Sequence, residues 1–274
     1  MLDALRPLSP FLLTALTVAL LELRFRRHPE ALPPAFGHPG RRALGLALVA
    51  FFLFAALFTP LAMAPSAAEV DVETLTPWQL FLLPFLLTVI LLGWALLARQ
   101  GGDWSDALRV LRLRERRWWR ELRVGLVWGI FAWAFVLVAS LLVAGLLQRF
   151  GWDALTNAGP PDLVVYLAGL PWVLRLAVSL SAGIFEETFF RGLLQPQLGV
   201  GLSTLFFVLA HIAYGSPVLL VGVTVLSLIY AYLARSRGSV VAAIVAHSLF
   251  DGIQLLVVIP AALAGADLVS SVGG

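Results

Sequence analysis

Long apolar runs separated by arginine-rich polar stretches set the plan of this chain. Residues 10–21 form the first run, which ends at Glu22 and the cluster Arg24, Arg26 and Arg27. It has neither the basic leader nor the small-residue cleavage site of a signal peptide, so it reads as a retained first span or anchor. Pro29, Pro33, Pro34 and Pro39 make the next stretch a turn-rich loop, closed by Arg41 and Arg42. Residues 43–63 are long enough to cross a hydrocarbon core of about 30 Å at about 1.5 Å per residue. An acidic loop with Glu69, Asp71 and Glu73 follows, and then a third run at 78–98. Residues 124–147 make a fourth, and Asn157 to Pro161 suggest turns. A fifth helix is expected from Trp172 through Glu186 to about Leu194, where Pro196 and Gly199 stop it. Residues 201–212, 218–234 and 240–263 give three more. The pattern predicts an all-α, polytopic transmembrane helix bundle of about eight spans.

The polar stretch 99–123 differs from the loops. Arg109, Arg112, Arg114, Arg116, Arg117, Arg120 and Arg123 alternate with Leu108, Val110, Leu111, Leu113, Trp118 and Trp119. That mixture predicts an amphipathic interfacial helix with an aromatic anchor. With eight spans, the arginines of 24–42, 99–123 and 235–237 fall on one side and the acidic loop on the other. Positive-inside then puts both termini outside the cytoplasm. The chain divides at about residue 160: 1–160 holds N-terminal spans and the Arg-rich helix, 161–274 a candidate catalytic core. No repeat or low-complexity tract stands out.

Composition agrees with the pattern. Of 274 residues, 60% are hydrophobic and 13% charged, and the mean hydropathy is +0.93, well above an ordinary soluble domain. All 19 basic residues are arginine against 16 acids. The use of arginine without lysine suggests a GC-rich bacterial genome, and the expected location is a bacterial inner membrane, crossed several times. The arginines lie beside apolar spans, so nucleic acid is not an expected partner; membrane lipid and a peptide or protein substrate are. The absence of cysteine excludes disulfides, thiol catalysis and thiolate metal sites.

Three stretches place ionisable groups where the pattern puts lipid: Glu186-Glu187-x-x-x-Arg191, Phe207-x-x-x-His211 and His247-x-x-x-Asp251. A charge at mid-bilayer costs roughly 2.5 to 3.5 kcal/mol on the lenient insertion scale, so such groups must be paired, hydrated or at work. Glu187 and Arg191 share a helical face and can neutralise each other as a structural ion pair. Glu186 lies on another face, with Gly183 and Phe190, and has no cation at helical spacing. It needs hydration, a proton or a match from another span. His211 and His247 are the only histidines in spans. Asp251 lies four residues after His247 and can fix its tautomer.

The three motifs, in this order, resemble the CPBP intramembrane proteases, which include the CaaX prenyl endopeptidases of the Rce1 type and the bacterial Abi proteins. The resemblance covers about residues 170–260. It implies that Glu186 and His211 activate a water while His247 and Asp251 help to hold the oxyanion of the tetrahedral intermediate. Glu187, Arg191 and Phe207 are then supporting residues. Many members carry asparagine at the last position; Asp251, when ionised, cannot donate, so it orients His247 or is protonated. A carboxylate withdrawn from bulk water is a usable general base.

Glu186, His211, His247 and Asp251 also offer a plausible zinc set, although no His-Glu-x-x-His is present. Helical spacing leaves this open; a metal-independent, glutamate-type endopeptidase with no cofactor is the preferred expectation. The expected activity is cleavage of a peptide bond near the membrane, in a lipidated or C-terminally anchored protein. The alternative is a scaffold or bacteriocin-immunity-type protein that binds peptide without cutting it. A proton-coupled transporter fits less well, because two matching halves are not evident.

Overall fold

The structure is a computed structural model that describes residues 6–29, 32–59, 62, 75–99, 104–115, 117–152, 161–212 and 216–272. Among the described residues all regular structure is helical. The elements are α1 (Ser9–Arg27), α2 (Pro39–Phe58), α3 (Pro77–Ala98), α4 (Trp104–Val110), α5 (Trp118–Arg149), α6 (Asp162–Gly169), α7 (Trp172–Ala210), α8 (Pro217–Arg237) and α9 (Val241–Gly265). The acidic residues at 69–73, the turn at Asn157 and Arg116 lie outside the described residues.

Local chemistry sets several boundaries. Thr76 donates its backbone N–H to Gln79 Oε1 at 2.6 Å and Pro77 follows, which opens α3. Ser216 accepts from the Leu219 N–H at 3.4 Å and Pro217 follows, which opens α8. Gly238 ends α8 at φ 66°, in the left-handed region.

Six helices among the described residues are long and apolar enough to cross a membrane: α2, α3, α5, α7, α8 and α9. Against the expected count of about eight, two places account for the difference. α1 forms, but its last turns carry Glu22, Arg24, Arg26 and Arg27, too many charges for a lipid-spanning window. The expected fifth and sixth spans run on as α7, of 39 residues, kinked at Gly199 where the sequence divides them. Gly199, after Pro196, breaks it at φ 80°. The chain then folds back: the Ser203 hydroxyl donates to the Phe190 carbonyl at 2.8 Å, and Phe207 packs on Phe190 with ring centroids 5.1 Å apart. Dividing α7 at Gly199 and adding α1 recovers eight helical segments.

The Arg-rich stretch is also not one helix. It is helical over Trp104–Val110, turns at Arg112 with φ 57°, and its Trp118 to Arg123 are the opening of α5. The arginine clusters nevertheless gather at one end of the bundle. Arg41 donates to the Arg99 carbonyl at 3.3 Å, and Arg237 donates Nε to Glu121 Oε2 at 3.0 Å.

Two apolar clusters build the interior. One joins Phe25, Phe52, Leu53 and Trp94 of α1–α3 to Phe189, Phe190, Leu193 and Phe207 of α7. The other joins Ala132 and Val136 of α5 to Leu226, Tyr230, Ala243 and Ala246 of α8 and α9. Small residues let α5 and α9 approach closely, as membrane helices require in the absence of a hydrophobic drive. Outer faces are apolar as well: only 11% of the most apolar window of α5 is buried, and Ile130, Leu141 and Leu142 point outward. Such a surface fits lipid and not water.

Candidate active site

The site lies where the two clusters meet, on α7, α8 and α9. The local backbone of α7 is unusual there. Ala182–Glu186 and Thr188–Leu194 are π-helical, on either side of Glu187. The widened turn changes the angle between successive side chains, and π-segments recur at functional sites because they redirect side chains without ending a helix. Gly183 permits the contact with α9: a Cβ there would stand 2.9 Å from the Ile244 carbonyl and 2.9 Å from the Ser248 nitrogen. Any larger residue would push Glu186 and Glu187 away from His247.

Glu187 is the hub. It is fully buried, with Oε2 3.2 Å from Arg191 Nε and Oε1 accepting from His247 Nδ1–H at 2.9 Å. The other nitrogen of His247, Nε2, lies 3.4 Å from Asp251 Oδ2. The imidazole is thus flanked by carboxylates on both sides and can donate to both only when doubly protonated. Tyr230 stacks on it, with centroids 5.0 Å apart and planes 16° from parallel.

Arg191 is equally buried. Its Nη2 donates to the Ser227 hydroxyl at 3.1 Å and to the Ser227 carbonyl at 3.3 Å. Its guanidinium sits 4.3 Å over the Phe207 ring, a cation–π contact worth most where water is absent. The Glu187–Arg191 approach is close, but Nε, Nη1 and Glu187 Oε2 lack a well-aligned hydrogen bond among the described residues.

Glu186 stands apart from this network. Its Oε2 is shut off from solvent and has no hydrogen-bond partner among the described residues. The ionisable groups that act on it electrostatically are His211, His247, Asp251 and Glu187. His211 ends α7, its Nδ1 2.7 Å from the Phe207 carbonyl. A carbonyl can only accept, so Nδ1 carries the proton and Nε2 is the basic nitrogen of the neutral ring. Its ring lies 4.6 Å from that of Phe207, which also faces His247 at 6.1 Å.

All seven residues singled out in the sequence therefore belong to one neighbourhood, with one difference in pairing. The expected Glu187–Arg191 pair also takes in His247, which the sequence joined only to Asp251. Ser227, Tyr230 and Ser203 were not singled out. Ser227 and Tyr230 fall one turn apart in an apolar run, and that spacing of hydroxyls was the available signal.

The same geometry bears on metal binding. Among the described residues no three or more His, Asp or Glu side chains converge as metal ligands would. His247 has both nitrogens engaged with carboxylates, and His211 has Nδ1 engaged with a carbonyl.

The fold and site together define a multi-pass integral membrane protein with a buried glutamate–histidine centre. Residues 168–253 match the family model described as type II CAAX prenyl endopeptidase Rce1-like. The match encloses all three motifs and supports an intramembrane endopeptidase of the CAAX type. No curated protein and no solved structure matches the chain.

Proposed function

We propose that Glu186 and His211 activate a water that hydrolyses a peptide bond at the membrane, without a metal. The carrying observation is the buried, unpartnered Glu186 Oε2 under the influence of two histidines, one across the Gly199 fold-back and one on α9. Glu186 takes a proton from the water, and the hydroxide oxygen bonds to the scissile carbonyl carbon. The carbonyl electron pair moves onto oxygen. As the tetrahedral intermediate collapses, the C–N bond breaks and the leaving amine regains the proton from Glu186, with His211 Nε2 as the second proton carrier.

The His247 Nε2–H is the donor for the oxyanion. Its contact with Asp251 is long, at 3.4 Å, so a substrate oxygen can compete for it, while the shorter Glu187 bond at 2.9 Å keeps the ring in place. A preset donor of this kind is worth about 3 to 4 kcal/mol in the transition state. Asp251 then acts as a positioning residue. Glu187, Arg191 and Phe207 hold the rings and take no part in bond making.

The substrate class proposed is a protein whose cleavage site is brought to the bilayer by a lipid or a C-terminal anchor. Comparison of membrane-protein termini between cells with the wild-type chain and cells with Glu186→Gln tests the proposal. New termini confined to the wild type are expected; identical termini in both would leave only a binding or scaffold role. Activity should survive chelators. Loss on chelation, restored by zinc, would replace the metal-free scheme.

A further inference from the structure

At the arginine-rich end of the bundle a cavity of about 330 Å³ is lined by Leu32, Pro33, Trp94, Arg109, Arg112 and Gln197, with Asp106 at its edge. It is separate from the Glu186 centre. Its charges do not cancel: Asp106 is paired with Arg109 at 2.9 Å, whereas the guanidinium of half-buried Arg112 has no ion pair or hydrogen bond among the described residues. Burial holds this guanidinium below its usual range, a sign that it is short of solvent. Gln197 is 6% exposed and lines the same cavity, and its side-chain Nε2–H makes no hydrogen bond among the described residues, so a second donor is available there.

The backbone presents Arg112 deliberately. Its φ of 57° is one that side-chain-bearing residues seldom adopt. The conformation is held from two sides. The Arg112 carbonyl accepts from the Val240 N–H at 3.1 Å. Gly192 lies so close to this loop that a Cβ would stand 2.6 Å from the Leu111 carbonyl.

We propose that this cavity binds the phosphate headgroup of an anionic phospholipid, with Arg112 as the counter-charge and the Gln197 Nε2–H as a hydrogen-bond donor. One monoanion balances the net single positive charge of Asp106, Arg109 and Arg112. A lipid is favoured over a free anion because Leu32, Pro33, Pro34, Trp94 and Ala98 make the remaining wall apolar. The level in the membrane also fits. Exposed Trp104 opens α4, and exposed Trp118 and Trp119 open α5; tryptophan at helix starts of this kind marks the headgroup region.

The test is lipid retention by the full chain, delipidated and then returned to vesicles of phosphatidylcholine with or without phosphatidylglycerol, with bound lipid read by native mass spectrometry. The wild type is expected to keep one phosphatidylglycerol in preference to phosphatidylcholine. Arg112→Gln should weaken that preference about fivefold and Arg112→Lys should largely restore it, the effect of one basic residue near a bilayer. Arg149→Gln, at the far end of α5, should leave it unchanged. No preference in the wild type, or equal loss in the Arg149 variant, overturns the site. Equal protection of the wild type against heat by inorganic phosphate alone overturns the lipid as the source of the anion.

Discussion

Two buried glutamates, each facing an arginine, have been given different work. Glu121, 2% exposed, joins the start of α5 to the end of α8. Arg237 meets it with Nε at 3.0 Å and 3.2 Å from its two oxygens and with Nη2 as well. Both carboxylate oxygens in that pair are matched, and Arg237 still reaches solvent. Glu187 sits among spans, shares its carboxylate between Arg191 and His247, and leaves Arg191 Nη1 without a partner among the described residues. A pair that only fastens helices gains from complete satisfaction. On the proposed mechanism, a pair that positions a reacting imidazole is shaped by the position of the ring, and incomplete satisfaction is tolerated because the surrounding helices enforce the geometry.

The comparison sharpens most at Glu186, the acid that belongs to neither pair. Glu186→Gln preserves shape and removes the base, so cleavage of a membrane-tethered substrate should fall about 10³-fold while the thermal unfolding midpoint hardly moves. A variant that unfolds earlier but still cuts would assign Glu186 to structure. It would also return the histidines to packing.

Next in size is Glu187→Gln, which leaves Arg191 charged and buried. A loss of about 3 to 5 kcal/mol is expected, the penalty of an uncompensated interior charge, read from unfolding in detergent. Replacing both partners, Glu187→Met with Arg191→Met, should recover much of that stability. It should not recover activity, because His247 has lost the acceptor of its Nδ1–H. Recovery of both together would mean that Glu187 serves Arg191 alone.

Glu121→Gln should cost less, about 1 to 3 kcal/mol, with cleavage unaffected once the protein is folded. Arg237 is near water and can rehydrate when its partner is neutralised. If this variant proves as damaging as Glu187→Gln, depth in the bundle is not what separates the two pairs.

The sequence made some of this visible and hid the rest for physical reasons. Helical spacing displayed Glu187 with Arg191 and His247 with Asp251, because residues four apart share a face. It could not display Glu187 with His247, which lie on different helices and meet only once α7 and α9 pack at Gly183. The π-helical turns around Glu187 were equally hidden, since they arise from tertiary strain and not from residue preference. The apolar runs located every long span. The counts differ only at α1, which is apolar for half its length and charged for the rest, and at Gly199, where the two helices that the sequence separates remain one kinked element. The alternation of arginine with leucine in 99–123 imitated a helical face, yet Arg112 turns the chain there.

The smallest effect is expected at Asp251. Asp251→Asn keeps the shape and exchanges a charge for an amide that can still accept from His247 Nε2–H, so activity should drop by no more than about tenfold, the range of a single hydrogen bond to a charged group. The contact it alters is the longer of the two made by His247, 3.4 Å against 2.9 Å to Glu187. Asp251 is also the less enclosed acceptor, since its side chain is 26% exposed. The informative measurement is the comparison with His247→Ala, assayed on the same substrate. A far deeper loss in the histidine variant places the oxyanion donor on the ring, with the residue at 251 only aiming it. Equal losses would show that residue 251 touches the substrate itself, and the division of labour between the two sides of the imidazole would have to be reversed.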